Sequence, residues 1–345
     1  MQTKRTPKGN RDLLRKFMDG YSIILVTLVM IVVSMLLQGL LKDSWSFLTW
    51  NNIINILRNN SITGVIALGM AFVIITGNID LSAGAQMVAV SAMSITVINW
   101  LAERMAGASP AMASLIPTIL GVLTAFACSI ALSVLTGIIV TKGRVPSFIV
   151  TMGMQLIYRS VLVYALNGGG VTTKVPGYLA LSSTSIPLGF GELPLQILYF
   201  FIMVAVYWYI SKYTSIGRRI YAVGSNEKAT RLSGIKTDRI KIMAYALLGV
   251  AIAVAGVMES SRMGSINSTS SGTNYELNAI AMAVIGGVAM EGGRGRIVNT
   301  MFGAFIFGMI SNILTLLGLP TKLVNAVKGA IIILAVLIQR KDKDR

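Results

Sequence analysis

The chain has 345 residues, of which 54% are hydrophobic and 12% charged, about half the charged share of an average soluble domain. A soluble protein of this length could not bury so much apolar surface, so the composition predicts an integral membrane protein. The absence of histidine and the single cysteine, Cys128, exclude an intrachain disulfide, zinc–histidine sites and Ser-His-Asp triads. The net charge of +17 lies in short segments between apolar runs, which argues against a nucleic-acid-binding protein.

Apolar runs predict an all-α membrane protein, a polytopic bundle of about ten transmembrane helices, because a bilayer core takes about 20 residues per helix. The first run follows a basic segment, residues 1–20, and is too long for a signal peptide, so we expect it to be retained. The membrane domain spans residues 21–338 and is followed by a tail, 339–345. The predicted spans are Tyr21–Leu41, Ile62–Thr76, Ala83–Leu101, Leu115–Thr141, Phe148–Leu166, Leu195–Ser211, Met243–Met258, Leu277–Met290, Ile297–Gly318 and Leu323–Ile338.

The stretch 77–82 forms either a turn between two spans or a break within one. With ten spans and a cytoplasmic N-terminus, 22 of the 30 Lys and Arg residues fall in cytoplasmic segments and 6 outside, the other two lying within spans. With nine spans the same count becomes 10 inside and 18 outside. The positive-inside rule therefore favours ten spans and places both termini in the cytoplasm.

Two long loops differ in character. The external loop 167–194 is rich in Gly, Ser, Thr and Pro and predicts a surface cap, whereas the internal loop 212–242 is strongly charged. Within the internal loop, 225–234 predicts a two-turn helix with Ser225 as N-cap, Glu227 in the first turn, Arg231 in the last and Gly234 ending it. Such a helix either docks a soluble partner or is an ordinary solvated loop helix.

Four segments resemble motifs of the permeases of ABC importers, in their ribose and simple-sugar branch. The loop segment 222–235, AVGSNEKATRLSGI, is similar to the coupling segment of that family. Residues 77–84 (GNIDLSAG), 275–281 (YELNAIA) and 292–300 (GGRGRIVNT) are similar to three further family motifs. The resemblance covers nearly the whole chain, although serine or asparagine replaces common family glycines at Ser225, Asn78 and Asn299, and Asn278 replaces a usual aspartate.

The resemblance implies a permease subunit in the plasma (inner) membrane that pairs with a second copy or a sister permease. It also implies that separate ATP-binding subunits hydrolyse ATP with magnesium and that a periplasmic binding protein delivers the sugar. The chain itself is then not an enzyme and binds no cofactor, in agreement with the absence of a phosphate-loop motif. The residues expected to couple to the ATPase are Gly224, Asn226, Glu227, Ala229, Arg231, Leu232, Ser233 and Gly234.

Polar residues at membrane depth are costly and commonly functional. Asp80, with Asn78 and Ser82, is either a pathway or gating group or a cap of the third helix. Arg159 lies in the middle of the fifth span and needs an interior partner, for which Glu259, Glu276 and Asp80 are the candidates. The polar stretch 264–276 is either an ordinary loop or part of a sugar pathway, since neutral sugars need hydrogen-bonding groups. The pathway candidates are Asn78, Asp80, Ser82, Arg159, Glu259, Asn274, Glu276 and Asn278.

The leading hypothesis is a monosaccharide permease of an ABC importer, of the ribose type, with galactose or another small sugar-like solute as alternatives. An ion-coupled secondary transporter would need a deep carboxylate, for which Asp80 is the nearby candidate. A membrane enzyme ranks lowest, because the sequence offers no nucleophile–base set and no metal-ligand cluster.

Overall fold

The computed structural model describes residues 10–42, 45–189, 191–320, 323–331 and 333. These residues form an all-α, polytopic fold, with only a few three-residue strands. The helices are α1 Asn10–Lys42, α2 Trp50–Ile75, α3 Ala83–Arg104, α4 Pro110–Gly143, α5 Ser147–Ala165, α6 Pro176–Ser183, α7 Leu195–Tyr213, α8 Ser215–Ser225, α9 Glu227–Leu232, α10 Thr237–Met263, α11 Tyr275–Ile285 and α12 Ile297–Leu316, and the strands are β1 Gly170–Thr172, β2 Ser185–Pro187, β3 Glu192–Pro194 and β4 Ser265–Asn267.

Within the described residues, eight helices are long and apolar enough to cross a membrane: α1, α2, α3, α4, α5, α7, α10 and α12. The eighth predicted span, Leu277–Met290, is a shorter apolar helix, α11, of 11 residues. The tenth, Leu323–Ile338, is helical over 323–331 and then runs beyond the described residues. The N-terminal residues 1–9 and the tail 339–345 also lie outside them.

Helix α2 lies at the centre of the bundle, in contact with α7, α10, α11 and α12. Small residues allow this close packing, since a Cβ at Gly69 would lie only 2.7 Å from the Cβ of Ala251 on α10. The peripheral helices α1 and α5 instead expose most of their apolar side chains, as expected where lipid is the solvent.

The loops predicted to be cytoplasmic meet at one end of the bundle, here called the coupling end: 76–82, 144–147, 214–236 and 286–296. The Gly293 N–H donates to the carbonyl of Ile75 at 2.8 Å, and the Ile79 N–H donates to Ser147 Oγ at 3.1 Å. The segment 76–82 is a non-helical turn between α2 and α3, with Gly77 at φ +78°. The stretch 76–82 is therefore a turn between two helices and not a break within one, while the count of ten spans stays a prediction.

The loops predicted to be external meet at the opposite end. Strand β1 pairs antiparallel with β4, so that Gly170 faces Asn267 and Thr172 faces Ser265. The predicted cap 167–194 is more than a surface layer, because α6 packs on α10 and α4. There the fully buried Tyr178 shares a 2.6 Å hydrogen bond with Ser260.

Candidate coupling surface and buried polar centre

Helix α8 holds the predicted coupling helix against the bundle. Its N-cap is Thr214, whose hydroxyl accepts from the Gly217 N–H at 3.2 Å. Its inward face buries Ile220 and Val223, and the Tyr221 hydroxyl donates to the carbonyl of Gly295 at 2.9 Å. These three side chains lie on the side of α8 that faces α2, α10 and the loop 286–296. They therefore anchor α8 to the coupling end.

Gly224 is required by close backbone approach. A Cβ at this position would overlap the carbonyl oxygen of Ile75 and lie 2.5 Å from the nitrogen of Gly293. The end of α8 therefore touches both the last residue of α2 and the loop 286–296. Glycine is needed here for space, since its φ is not in the left-handed region.

Helix α9 is the coupling helix predicted from the sequence, but it is shorter and capped differently. It has six residues, Glu227–Leu232, and its N-cap is Asn226, whose Oδ1 accepts from the Ala229 N–H at 3.0 Å. The expectation that Ser225 is the cap is wrong, because Ser225 is the last residue of α8. Thr230 ties α9 to α8 through a 2.8 Å bond to the carbonyl of Ala222.

Ion pairs fix α9 on the start of α10. Glu227 accepts from Lys241 Nζ at 2.7 Å and from Arg231 at 3.1 Å. Arg231 also lies 3.6 Å from Asp238 and donates to Thr237 Oγ1 at 3.0 Å. Burial raises the pKa of Glu227, but its bonds to Lys241 and Thr237 and the charges of Lys241 and Arg231 outweigh burial and lower the pKa overall. Glu227 therefore stays ionised at neutral pH and holds the helix in place.

The outer side of α9 is left open to solvent. Leu232 is 89% exposed, the highest exposure among the exposed large hydrophobic residues. Ala229 and Ser233 are exposed beside it, and the Ser233 hydroxyl is turned back onto the carbonyl of Ala229 at 3.0 Å. Gly234 takes the left-handed conformation, φ +82°, that ends the helix as predicted. A rigidly mounted helix with an apolar tip is suited to docking a second protein.

A cleft of about 790 Å³ opens beside α9 at the coupling end. Its walls combine charged residues of the coupling region, including Lys228 and Lys241, with Asn78 and Ile79 of the turn 76–82. Asn78 itself is buried and donates to Thr76 Oγ1 at 3.0 Å. Of the pathway candidates, Asn78 is therefore the one that lies at this cleft.

Asp80 and Ser82 form the start of a buried polar centre. Both are fully buried. Asp80 Oδ1 accepts from the Ser82 N–H at 2.7 Å and from the Ser82 hydroxyl at 2.6 Å, just before α3. This is an Asx turn just before α3, whose N-cap, Ser82, makes no side-chain capping bond to the helix. The second oxygen, Oδ2, has no protein hydrogen-bond partner within the described residues, so Asp80 also keeps acceptor capacity inside the bundle.

Glu276 joins the same centre from α11. Its carboxylate packs on Gly84 near the start of α3, where a Cβ would overlap Oε2. Gln155 of α5 donates to Glu276 Oε1 at 3.5 Å, and Glu276 interacts electrostatically with Asp80 and Arg159. Three predicted pathway residues, Asp80, Arg159 and Glu276, are thus brought together.

Arg159 finds its partners in backbone carbonyls. Its Nη1 donates to the carbonyls of Ser268 and Ser271 at 2.8 and 3.0 Å. No ion pair within 4 Å to Glu259, Glu276 or Asp80 is found within the described residues, so the direct partners of Arg159 are carbonyls of the polar stretch 264–276, while the charge of Glu276 acts on it from further away. That stretch therefore packs against the middle of α5 and is more than a free loop.

The remaining pathway candidates lie apart from this centre. Glu259 accepts from the Tyr275 hydroxyl at 3.2 Å. Asn274 is exposed and occupies the N-cap position of α11 at φ +63°, without a capping side-chain bond. Asn278 is half-buried one turn further on, and its N–H bonds the carbonyl of Asn274. In the described part of the chain, no group of three or more Cys, Asp or Glu residues is arranged to hold a metal ion.

Comparison with known proteins gives a family. The family described as "Branched-chain amino acid transport system / permease component" matches residues 52–336, which is most of the chain. The chain belongs to this family of permeases.

The permease is similar to sugar permeases over most of their length. It is 36% identical over 343 residues to the ribose import permease protein RbsC of Escherichia coli K12, covering 98% of the permease and 99% of the relative. It is 37% identical over 297 residues to RbsC of Bacillus subtilis 168, with 86% and 87% covered. The xylose transport system permease protein XylH of Escherichia coli K12 is 30% identical over 378 residues, with 92% and 93% covered. No solved structure matches the permease.

Three residues that organise these sites escaped the sequence analysis. Lys241 pairs with Glu227 across a separation of 14 residues, Gln155 reaches Glu276 across 121, and Thr230 fastens α9 to α8. Lys241 could have been noticed in the sequence, because it lies about one turn after Asp238 at the start of α10 in the permease. Gln155 could also have been noticed, because it is a polar residue one turn from Arg159 in an apolar helix.

Proposed function

We propose that the permease is the transmembrane subunit of an ABC importer that moves a monosaccharide, of the ribose type, across the plasma (inner) membrane. The observation that carries this proposal is the end-to-end similarity to ribose import permeases at 36% identity. The family description names branched-chain amino acids, but the relatives that match over more than nine-tenths of their length are named for ribose and xylose. Galactose or another small sugar-like solute is the alternative substrate.

The energy for transport comes from partner chains. Two ATP-binding subunits, using ATP and magnesium, act on the coupling end, and a periplasmic binding protein delivers the sugar to the opposite end. The permease binds no cofactor and pairs with a second copy or a sister permease. In this proposal both termini and the loop 212–242 are cytoplasmic.

Helix α9 is the proposed docking site for the ATPase on the permease. Its exposed face carries Leu232, and its inner face is fixed by Thr230 and Glu227 to α8 and α10. Because α8 also touches the end of α2 through Gly224, a push on α9 reaches the central helix without crossing a flexible segment. This path supports a role of α9 in opening and closing the bundle.

The proposed solute pathway follows α5. Among the helices, this one packs mainly on α3 and α4 and leaves Leu156, Val161 and Tyr164 exposed. Its polar residues Gln155 and Arg159 lie at the buried polar centre. A second copy facing α5 would enclose a passage with hydrogen-bonding groups on an otherwise apolar wall, as a neutral sugar requires.

Reconstituted transport tests the proposal. Proteoliposomes containing the permease and its ATPase partner, with the binding protein outside, should accumulate labelled ribose only when ATP is enclosed. A parallel assay with labelled leucine, using the same vesicles, tests the amino-acid alternative. Ribose uptake driven by an ion gradient without ATP, or uptake of leucine alone, would contradict the proposal.

A further inference from the structure

A second cleft, of about 650 Å³, lies at the coupling end between α1, α7, α8 and α12; we call it the interfacial cleft. One wall is apolar, formed by Ile23 and Ile24 of α1 with Phe302 of α12. The other wall carries Lys212, Arg296 and the ring of Trp208. The cleft shares Tyr221 and Gly295 with the contacts that anchor α8, but its lining includes no residue of α9 or of the buried polar centre.

The two cations of the interfacial cleft are available to a ligand. Lys212 and Arg296 are both exposed, and among the residues whose side chains the structure describes, no carboxylate pairs with either of them. Lys212 Nζ lies 5.5 Å from the ring centre of Trp208 and 5.4 Å from that of Tyr213. These cation–π contacts orient the ammonium without neutralising its charge.

The backbone of the cleft favours an anion as well. The first turn of the 20-residue helix α12, Ile297–Asn299, lines the cleft, and its N-cap, Arg296, gives no side-chain cap. The first N–H groups of a helix have no intrahelical partner, and they lie at the positive end of the helix dipole. Two cations and a helix N-terminus therefore converge on one opening.

The position of the cleft decides which anion it takes. Its apolar wall belongs to α1, a helix that exposes Leu25, Leu28 and Val29 along its length and is long and apolar enough to span the membrane. Its aromatic residues Trp208 and Tyr221 are of the type that lies at the boundary between acyl chains and headgroups. A ligand here needs an anionic head and apolar tails.

We propose that the interfacial cleft binds an anionic phospholipid, with the phosphate between Lys212 and Arg296 at the start of α12 and an acyl chain along α1 and Phe302. If the coupling end is cytoplasmic, as in the proposed function, this lipid belongs to the cytoplasmic leaflet. The binding site itself does not depend on the proposed function. The lipid would join α1 to α8 and α12, beside the anchored coupling helix.

Native mass spectrometry and thermal unfolding of the purified full-length permease test this site. The probes are phosphatidylglycerol and phosphatidylcholine with the same acyl chains, together with inorganic phosphate. Phosphatidylglycerol should remain bound and raise the melting temperature, whereas phosphatidylcholine and phosphate should not. The double variant Lys212→Gln/Arg296→Gln should bind phosphatidylglycerol on the order of 30-fold more weakly, since each cation contributes about 1 kcal/mol.

The matched control is Lys236→Gln/Arg239→Gln, which removes two exposed cations at the same end but outside the cleft. It should bind phosphatidylglycerol as the wild type does. Equal binding of the two lipids by the wild type, equal loss in the control, or equal protection by inorganic phosphate would overturn the proposal. The comparison of phosphatidylglycerol with phosphatidylcholine on the wild type tests the proposal even if the double variant is unstable. Because no transport is measured, a negative result would count against the lipid site and not against the proposed function.

Discussion

Leu232 is the residue that most directly links the structure to a partner. A leucine that is 89% exposed on a helix tip stabilises little in the isolated chain, and surface changes of this kind alter stability by no more than about 0.5 kcal/mol. An apolar residue at the centre of a docking surface, in contrast, commonly contributes 2 kcal/mol or more to binding. The two effects can therefore be separated in one variant.

We predict that Leu232→Asp leaves the melting temperature of the permease nearly unchanged and reduces co-purification with the ATPase subunit by more than about tenfold. The control is Leu188→Asp, which changes an exposed leucine at the opposite end. Normal ATPase binding by Leu232→Asp, or equal loss in the control, would show that α9 does not dock the ATPase.

Glu227 is predicted to give a pH-dependent contribution to stability. Its pKa in the folded chain is lowered below the ordinary value of about 4.3. Its ion pairs therefore stabilise the fold above that value, and this stabilisation disappears as the pH falls through the lowered pKa. Because the side chain is 36% exposed, the contribution is below about 1 kcal/mol.

Thermal unfolding of wild type and Glu227→Gln as a function of pH measures this contribution. The difference in melting temperature should be present at pH 7 and vanish below the lowered pKa. Glu103→Gln is the control, because Glu103 forms no ion pair in the described part of the chain. A difference between wild type and Glu227→Gln that persists in acid would contradict the ion-pair interpretation.

At the scale of elements, α9 needs its cap as well as its bonds to α8 and α10, because six residues are too few to form a stable helix alone. Removing the Asn226 side chain costs about 1 kcal/mol. We predict that Asn226→Ala makes the amides of 227–232 exchange with solvent roughly five-fold faster and lowers ATP-driven uptake. Asn226→Asp keeps the acceptor oxygen and should retain slow exchange. Unchanged exchange in Asn226→Ala would mean that α8 and α10 alone hold α9.

The junction of α8 with α2 provides a second prediction at this scale. Gly224→Ala places a methyl group against the backbone of Ile75 and Gly293, so we expect a loss of about 1–3 kcal/mol in the free energy of unfolding. Gly153→Ala in α5 meets no atom within 4 Å and should be neutral or slightly stabilising. Equal melting temperatures for these two variants would show that α8 is not seated on α2.

The elements also show which features a sequence can reveal. Glu227, Arg231 and Gly234 were placed correctly because helix ends follow local rules of charge and φ. The prediction of Ser225 as the cap was wrong, because Ser225 is the last residue of α8, a helix that the sequence analysis did not predict. The bonds of Arg159 to Ser268 and Ser271 join residues more than 100 positions apart, and no local rule predicts them.

At the largest scale, transport driven by a cytoplasmic ATPase requires the two ends of the bundle to face different compartments. The coupling end gathers the turn 76–82, α8, α9 and the loop 286–296, while the opposite end gathers the strands β1 and β4. The apolar composition of the spans predicts a membrane protein, and the distribution of Lys and Arg predicts which end is cytoplasmic. The contacts between segments within each end are seen only in the folded structure and could not be predicted from the sequence.

The sidedness of α9 is the most direct test of this account. Single cysteines are introduced by Leu232→Cys or Leu188→Cys in a Cys128→Ala background, and cells are treated with a membrane-impermeant maleimide before and after lysis. Position 188 should react in intact cells, and position 232 only after lysis. Labelling of position 232 in intact cells would place α9 outside the cell and contradict its proposed coupling to a cytoplasmic ATPase.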